Sequence, residues 1–211
     1  MMLKKKIILI ALTTLLLPTT VFALGRIVPY ASLDFGDING NWSVKDTGGT
    51  NTNFGMNGAI GGASIGLGTA INPKFWLAME AFGNYSSVRT STKNITANGG
   101  SATLRLNEKY SYGLSIIPGF ILGKGMFYAR FGALQTRMEA KQSSVPSGDR
   151  SPNSSLQEAG VLGLGFQASF ADNWGFRAEY DRIMYRHFTV FSNRVVPMDN
   201  ELRMGLMYSF Y

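Results

Sequence analysis

Residues 174–182 (WGFRAEYDR) alternate between apolar and charged side chains, and this alternation constrains the fold more than any other feature of the chain. Trp, Phe, Ala and Tyr occupy every second position, whereas Arg177, Glu179 and Asp181 lie between them. A period of two places successive side chains on opposite faces of a β-strand. Apolar residues also recur at helical spacing from Phe176, so a helix remains an alternative for this segment alone.

The same alternation recurs along the chain and favours the strand over the helix. Its copies span residues 75–85, 127–134 and 202–210. Each copy places one ionisable residue between apolar alternates, namely Glu80, Arg130 and Arg203. A strand with one apolar face and one small or charged face is typical of a membrane β-barrel, which has hydrocarbon outside and a polar interior.

Residues 1–23 have the features of a cleaved signal peptide. Three lysines at positions 4–6 precede an apolar run of 11 residues, and small residues at positions 21 and 23 suit cleavage after Ala23. A membrane anchor is the alternative, but a run of 11 residues is shorter than the ~20 that a spanning helix needs. We expect residues 24–211 to form one outer-membrane β-barrel domain.

The composition argues against several classes of function. Removal of the three signal-peptide lysines lowers the formal net charge from +7 to +4, and the basic residues are scattered, so nucleic-acid binding is not supported. The chain has no cysteine and a single histidine. Disulfides and thiolate metal sites are therefore excluded, and a histidine-based metal centre is disfavoured. No cofactor motif is present, and we predict no cofactor.

The predicted strands are joined by short and long connections in alternation. Eight strands are expected at residues 26–36, 58–71, 75–85, 110–120, 126–136, 160–170, 174–182 and 201–210. Tight turns are expected at residues 72–74, 123–125 and 171–173, and long polar connections at 37–56, 86–109, 137–159 and 184–200. This is the outer-membrane arrangement of short periplasmic turns and long extracellular loops. We predict an all-β, eight-stranded antiparallel up-and-down transmembrane β-barrel with both termini on the periplasmic side.

The apolar face is predicted to point outward, towards lipid. The inverted arrangement, an apolar cavity with a polar exterior, is typical of soluble lipocalin-like barrels. Three features favour lipid outside. The long connections share one end, the charged face is diluted with glycine and serine, and the chain finishes on alternating apolar residues. An arginine at the bilayer midplane would cost ~2–4 kcal/mol, so several could not be sustained there.

Five charged residues are predicted to point into the lumen: Glu80, Arg130, Arg177, Glu179 and Arg203. The interior of an eight-stranded barrel is filled by its own side chains, so charges buried there must pair with opposite charges. Asp34, Asp181 and Glu201 lie nearer the strand ends. Asp34 and Asp181 are additional candidate partners, but we expect all three to lie unpaired at the wet rims.

These segments resemble the OmpA-like transmembrane domain and related opacity-type surface proteins over essentially the whole mature chain. The likeness rests on residues 77–85, 128–133, 174–182 and 202–210. It implies that Glu80 and Arg177 form the family's ion pair across the lumen. It also implies that Arg130 matches an interior arginine on the fifth strand.

Three features of the chain bear on what this resemblance implies. The family's alternative ion-pair partners correspond here to Ile117 and Gln167, so a gate that exchanges partners is not implied. Leu206, Tyr208 and Phe210 resemble the C-terminal assembly signal, although one further tyrosine follows them. No peptidoglycan-binding domain follows the barrel, so tethering to the cell wall is not implied.

His187 is the candidate residue for an enzymatic function. Thr189 or Ser192 would be its nucleophile, and Asp199 or Glu201 would orient it. On a strand His187 and Thr189 share a face, and the pair faintly resembles the His-x-Ser arrangement of lipid A deacylases. The alternative, which we favour, is a lone histidine in an exposed connection, so we predict no enzymatic activity.

We therefore predict a protein that acts through its long extracellular loops. The expected roles are surface interaction or adhesion, immune exposure and support of envelope integrity. A narrow ion-conducting pore is the first alternative, and a lipid A-modifying enzyme using His187 is the second. The predicted partners are outer-membrane lipid and lipopolysaccharide, the barrel-assembly machinery, and host or environmental ligands at the loops. We expect a monomer that binds no nucleic acid.

Overall fold

The computed structural model describes residues 26–45, 51–97, 100–144, 148–190 and 193–210. The strand segments are β1 (Val28–Lys45), β2 (Asn51–Asn72), β3 (Phe75–Ser86), β4 (Arg89–Ala97), β5 (Gly100–Leu122), β6 (Gly125–Ser144), β7 (Gly148–Ser169), β8 (Trp174–Tyr185), β9 (Phe188–Val190) and β10 (Asn193–Ser209). The predicted signal peptide lies outside the described residues. The described residues include no helix long and apolar enough to cross a membrane.

The segments form one closed antiparallel sheet of eight barrel strands. β4 continues β3 after a break at residues 87–88, and β9 continues β8 after a break at 186–187. Each barrel strand pairs with its neighbours in the chain, and β1 closes the sheet by pairing with β10 from Tyr30↔Ser209 to Lys45↔Arg194. Closure leaves no open edge, as the bilayer interior requires. The predicted eight-stranded barrel is confirmed.

Burial alternates along the strands with the period seen in the sequence. In β8, Trp174 and Phe176 are exposed, whereas Arg177 and Glu179 are buried. The apolar belt is the set of outward-facing apolar side chains that includes Leu33, Phe35, Ile65, Leu67, Leu77, Met79, Leu114, Ile116, Phe131, Leu162, Leu164, Phe176, Leu202, Met204 and Leu206. An apolar exterior around a charged lumen is the membrane arrangement and excludes the lipocalin-like alternative.

The lumen has three layers. An apolar cluster at the end of the short turns contains Tyr30, Ala78, Ile117, Met126, Tyr128 and Met207. A second apolar cluster, towards the other end, includes Ile38, Trp42, Met56, Phe82, Leu134 and Ile183. Charged residues separate the two on β1, β3, β6, β8 and β10, as Glu80 does between Ala78 and Phe82 in β3. The ionic layer therefore lies in a largely dry barrel interior.

The tight turns form as predicted, and one side chain explains the first of them. Asn72 Oδ1 accepts hydrogen bonds from the backbone N–H groups of Lys74 and Phe75, each at 2.9 Å. The second turn contains Gly123 with φ of 63°, a conformation that glycine adopts without steric cost. The barrel therefore has one end with short turns, the short-turn end.

The expected boundaries of the long connections are wrong, because the strands run far into them. The β1–β2 ladder continues to Lys45↔Asn51, and the β5–β6 ladder to Ala102↔Ser144. Ile38, Trp42 and Met56 of these segments lie in the lumen, but the segments have no continuous apolar outward face like that of the predicted strands. The sequence therefore does not mark them as membrane strands. Their backbone groups nevertheless pair in the ladder, which satisfies donors and acceptors. Four long hairpins therefore extend the barrel at its other end, the long-hairpin end.

The predicted assembly signal ends the outward face of β10. Tyr208 contacts the rings of Trp174 and Phe210, each with centroids 5.0 Å apart, and the Phe210 N–H donates to the Pro29 carbonyl at 2.9 Å.

We expect Phe210→Ser to lower the yield of heat-modifiable, membrane-embedded barrel. The substitution removes an aromatic pair worth about 0.5–1.5 kcal/mol at the end of β10, where β1 closes the barrel. Tyr211→Ser is the matched control. Normal assembly of Phe210→Ser together with failure of Tyr211→Ser would show that the terminal register is misassigned.

Candidate functional site: the charged centre of the lumen

The charged centre collects side chains from four barrel strands. Glu80 projects from β3, Arg130 from β6, Arg177 and Glu179 from β8, and Arg203 from β10. Each occupies an inward position of its strand, and none is more than 4% exposed. The structure thus brings together all five residues that the alternation assigns to the lumen. Charges buried to this degree are stable only with partners.

Glu80 and Arg177 meet through two hydrogen bonds. Arg177 Nη1 donates to Glu80 Oε2 at 2.7 Å, and Arg177 Nη2 donates to Glu80 Oε1 at 3.3 Å. Arg130 Nη2 lies 3.2 Å from the same Glu80 Oε1, and the Tyr30 hydroxyl donates to Oε2 at 3.2 Å. A bidentate contact of this kind sets the orientation of the guanidinium plane and places its positive charge against the carboxylate. Glu80 is therefore shared by two arginines.

Glu179 is the hub of the centre because all three arginines donate to it. Arg177 Nη2 donates to Oε2 at 3.1 Å, and Arg130 and Arg203 both donate to Oε1. The Tyr128 hydroxyl donates to Oε2 at 2.9 Å. Two tyrosines, at positions 30 and 128, thus complete the centre, and sequence analysis missed both. Their inward position in the alternation was the available signal.

The expectation that Asp34, Asp181 and Glu201 lie unpaired at wet rims is wrong. Asp181 is fully buried and contacts both Arg130 and Arg203. Glu201 Oε2 lies 3.5 Å from Arg203 Nε. Asp34 Oδ1 lies 3.7 Å from Arg177 Nε, and its other oxygen accepts a hydrogen bond from Ser32 at 2.8 Å. Strands of a barrel are tilted, so a position near one strand's end lies level with the middle of another.

The centre holds more carboxyl groups than guanidinium groups. Its arginines are Arg130, Arg177 and Arg203, and its acids are Asp34, Glu80, Glu179, Asp181 and Glu201. Among the described residues no cluster of histidines, cysteines and acids has the geometry of a metal site. The arrangement can therefore hold the barrel walls together by ion pairs, and no catalytic geometry is recognisable in it.

Two further acids, Glu108 and Asp199, are buried near the long-hairpin end. Asp199 pairs in register with Gly40, past the exposed Asp37 and Asn39 of β1, and so lies beyond the apolar belt. Burial raises the pKa of Asp199 to about 6, although a hydrogen bond from Trp42 Nε1 at 3.0 Å opposes the shift. These acids were not predicted as lumen residues, because no apolar alternation surrounds them.

The candidate catalytic residues do not converge in the described part of the chain. His187 lies in the break between β8 and β9 and is exposed, whereas Asp199 and Glu201 are buried in the lumen. Ser192 and the side chain of Thr189 lie outside the described residues. The geometry around His187 therefore gives no support to a base oriented by either acid.

The paired geometry predicts a less-than-additive loss when Glu80 and Arg177 are both removed. Removal of one partner from a buried pair typically costs about 3–5 kcal/mol, and we expect the lower end for Arg177→Met because Arg130 also contacts Glu80. Arg177→Glu should cost more, since it places a third acid beside Glu80 and Glu179. The measurement is the urea midpoint of the refolded barrel for Arg177→Met, Glu80→Gln and the double variant. Arg182→Met, on the exposed face of β8, is the control, and additive losses would contradict the contact.

The position of Asp199 predicts a pH-dependent stability. Its raised pKa means that the protonated form stabilises the folded barrel, so this contribution is lost as pH rises from the ordinary value of 3.8 to about 6. At pH 8 we expect the free energy of unfolding of Asp199→Asn to exceed that of wild type by on the order of 3 kcal/mol. The variant should therefore unfold at a higher urea concentration. Near pH 4 the two proteins should unfold alike. An equal difference at both pH values would contradict a buried ionisable Asp199.

Comparisons with known proteins agree with this architecture. Residues 9–210 match the model of the outer membrane protein beta-barrel domain family. No curated protein matches the chain in sequence. Among solved structures, Escherichia coli OmpT, an outer membrane protease, is similar with a TM-score of 0.54 at 9% identity, over 92% of this chain and 100% of that one.

Two smaller barrels are also similar in structure. Neisserial surface protein A aligns with a TM-score of 0.48 at 16% identity, over 86% of this chain and 97% of that one. Yersinia pestis Ail, the attachment invasion locus protein, aligns with a TM-score of 0.41 at 16% identity, over 86% of this chain and 99% of that one. The family model covers nearly the whole sequence. The chain belongs to the outer membrane protein beta-barrel domain family and is an integral protein of the outer membrane.

Proposed function

We propose that the protein acts at the cell surface, through the four long hairpins, by binding anionic ligands. Exposure to the immune system and support of the envelope are further roles of the same surface-anchored barrel. The single observation that supports the ligand class is the backbone register, which places basic residues at paired positions of neighbouring strands, Arg105↔Lys141 and Lys45↔Arg194, both beyond the apolar belt.

Like charges at paired positions of neighbouring strands destabilise a sheet. An anionic ligand that approaches both strands turns this repulsion into attraction, because each basic residue then has an opposite charge nearby. The hairpin regions also contain Arg89, Lys93, Lys109 and Arg150, and one of their acids, Glu108, is buried in the lumen. Sulfated or phosphorylated sugars are the ligand class that fits such a surface.

A narrow ion pore is supported less well. Arg130 and Asp181, which lie on different strands of the charged centre, are both fully buried and contact each other. A conducting path would have to separate these groups. Paired charges across the lumen therefore favour a closed barrel whose activity lies outside it.

The test is binding of sucrose octasulfate, the heparin analogue present in the Yersinia pestis Ail structure, to the full barrel in nanodiscs. We expect Arg105→Gln with Lys141→Gln, and Lys45→Gln with Arg194→Gln, each to weaken binding on the order of tenfold, since charge-assisted hydrogen bonds contribute about 1.5–3 kcal/mol. Raised salt should weaken wild-type binding in the same direction.

The control removes two charges at the short-turn end, Arg26→Gln with Lys74→Gln. Equal weakening in the control would mean that binding depends on net charge and not on the hairpin surface.

Protease added to intact cells tests the orientation of the barrel in the membrane. It should cut within residues 86–109 or 137–159 and spare residues 72–74 and 171–173. Cleavage confined to the tight turns would place the hairpins in the periplasm and overturn the proposal.

A further inference from the structure

A cavity of about 290 Å³ lies inside the lumen between the charged centre and the short-turn end. Its walls come from seven barrel strands and from the turn between β5 and β6. The lining residues are Val28, Tyr30, Trp76, Ile117, Ile121, Gly123, Lys124, Gly125, Met126, Tyr128, Gln167, Ser169, Arg177, Met207 and Ser209. Its volume is close to the lower end of the ~300–1,000 Å³ range of ligand pockets.

The inner end of this cavity is polar, and most of its donors are already paired, although Arg177 Nε makes no hydrogen bond. The hydroxyls of Tyr30 and Tyr128 donate to Glu80 and Glu179, and Arg177 donates to the same two carboxylates. These groups have few free hydrogen-bonding positions for a ligand. A bound molecule would therefore make few hydrogen bonds to the charged centre and would contact mainly the side walls of the cavity.

One part of the wall is apolar, and the polar side chains of Gln167, Ser169 and Ser209 line another part. Ile117, Met126 and Met207 are buried in the apolar part, and Trp76 and Ile121 pack against them. Methionine side chains fill irregular space and adapt to ligands because they are unbranched and polarisable. The two positions that resemble family ion-pair partners, Ile117 and Gln167, both line this cavity. Ile117 makes its part of the wall apolar and therefore suited to contact with hydrocarbon.

The mouth of the cavity carries a positive charge. Lys124 belongs to the turn between β5 and β6, and Ser169 at the end of β7 is exposed. Among the lining residues, Lys124 and Arg177 are the charged ones, and no aspartate or glutamate is present. The charge at the mouth is complementary to an anionic head group, whereas the apolar walls are complementary to a tail.

We propose that this cavity binds a single-chain anionic amphiphile of the fatty-acid type. The chain inserts from the short-turn end between Trp76, Met126 and Met207, and the carboxylate stays at the mouth beside Lys124. In the orientation proposed above, the mouth faces the periplasm. The cavity is independent of the hairpin surface, so either proposal can fail without the other. Apolar cavities of smaller size than this one are known to take up hydrocarbon ligands.

The test uses Trp76 as a reporter in the wall. In a Trp42→Phe, Trp174→Phe background, it is the remaining tryptophan of the chain. The full barrel is placed in nanodiscs of diacyl phosphatidylcholine, because single-chain detergents would compete. A dodecanoate brominated near its methyl end should quench Trp76 saturably, with one molecule bound per barrel. Heat-modifiability checks the fold of every variant.

Two variants fill the cavity, and each has a control on the adjacent outward position. Ser169→Phe and Val28→Phe should each weaken dodecanoate binding at least about tenfold, whereas Ala168→Phe and Ile27→Phe should leave it unchanged. Lys124→Gln should weaken binding of the brominated dodecanoate and not that of the matching brominated dodecanol. Val28→Phe keeps the test decisive if Ser169→Phe does not fold.

Several results would overturn the proposal. Quenching that rises linearly with bromine in the bilayer, and equally in filled and control variants, would mean that the amphiphile reaches Trp76 from the lipid only. If dodecanol bound as tightly as dodecanoate and Lys124→Gln had no effect, the cavity would not select an anionic head group, and the proposed ligand class would be wrong. Absence of saturable quenching in the folded wild-type background would mean that the cavity takes no such ligand.

Discussion

The burial of three arginines inside the barrel is the constraint on which the rest of the lumen depends. A guanidinium group cannot give up its charge, so each arginine needs carboxylates within contact distance. Glu179 receives all three, and Glu80 and Asp181 receive two each. These contacts join β3, β6, β8 and β10 across the lumen. The barrel walls are thereby held at fixed separations, which neither backbone pairing nor lipid contact alone would set.

The bilayer imposes the complementary constraint on the outside. In hydrocarbon every backbone group must pair within the protein, and this requires the sheet to close between β1 and β10. Side chains of the apolar belt, such as Leu164 and Leu202, then face lipid, and the charged alternates have no place except the lumen. Glycines relieve the crowding that results. A Cβ at Gly163 would lie 1.9 Å from an Asp181 oxygen, so glycine there makes room for a buried carboxylate.

The same arrangement separates two regions with different chemistry. Beyond the belt the strands continue as polar hairpins, where basic residues pair in register and an anionic ligand is favoured. Below the charged centre lies a cavity with apolar side chains in its walls and Lys124 at its mouth. The buried ionic layer separates the two regions. Binding at the hairpins and binding in the cavity are therefore expected to be energetically independent, because no open path joins the two regions in the described structure.

The period-two alternation, together with the alternating short and long connections and the glycine and serine of the charged face, determined the fold class and the outward face. The inward position of Glu80, Arg130, Arg177, Glu179 and Arg203 follows from it, because successive side chains of a strand point to opposite faces. The alternation does not tell how far along the barrel axis a side chain lies, because the strands are tilted. Only the tertiary structure therefore decided that Asp34, Asp181 and Glu201 join the charged centre, and that Tyr30 and Tyr128 donate to it. It likewise decided how far the strands extend, because segments such as residues 37–45 of β1 lack the apolar outward face that marks the predicted strands. The empty space beside Ile117 is also a tertiary property, since it depends on how side chains from several strands meet.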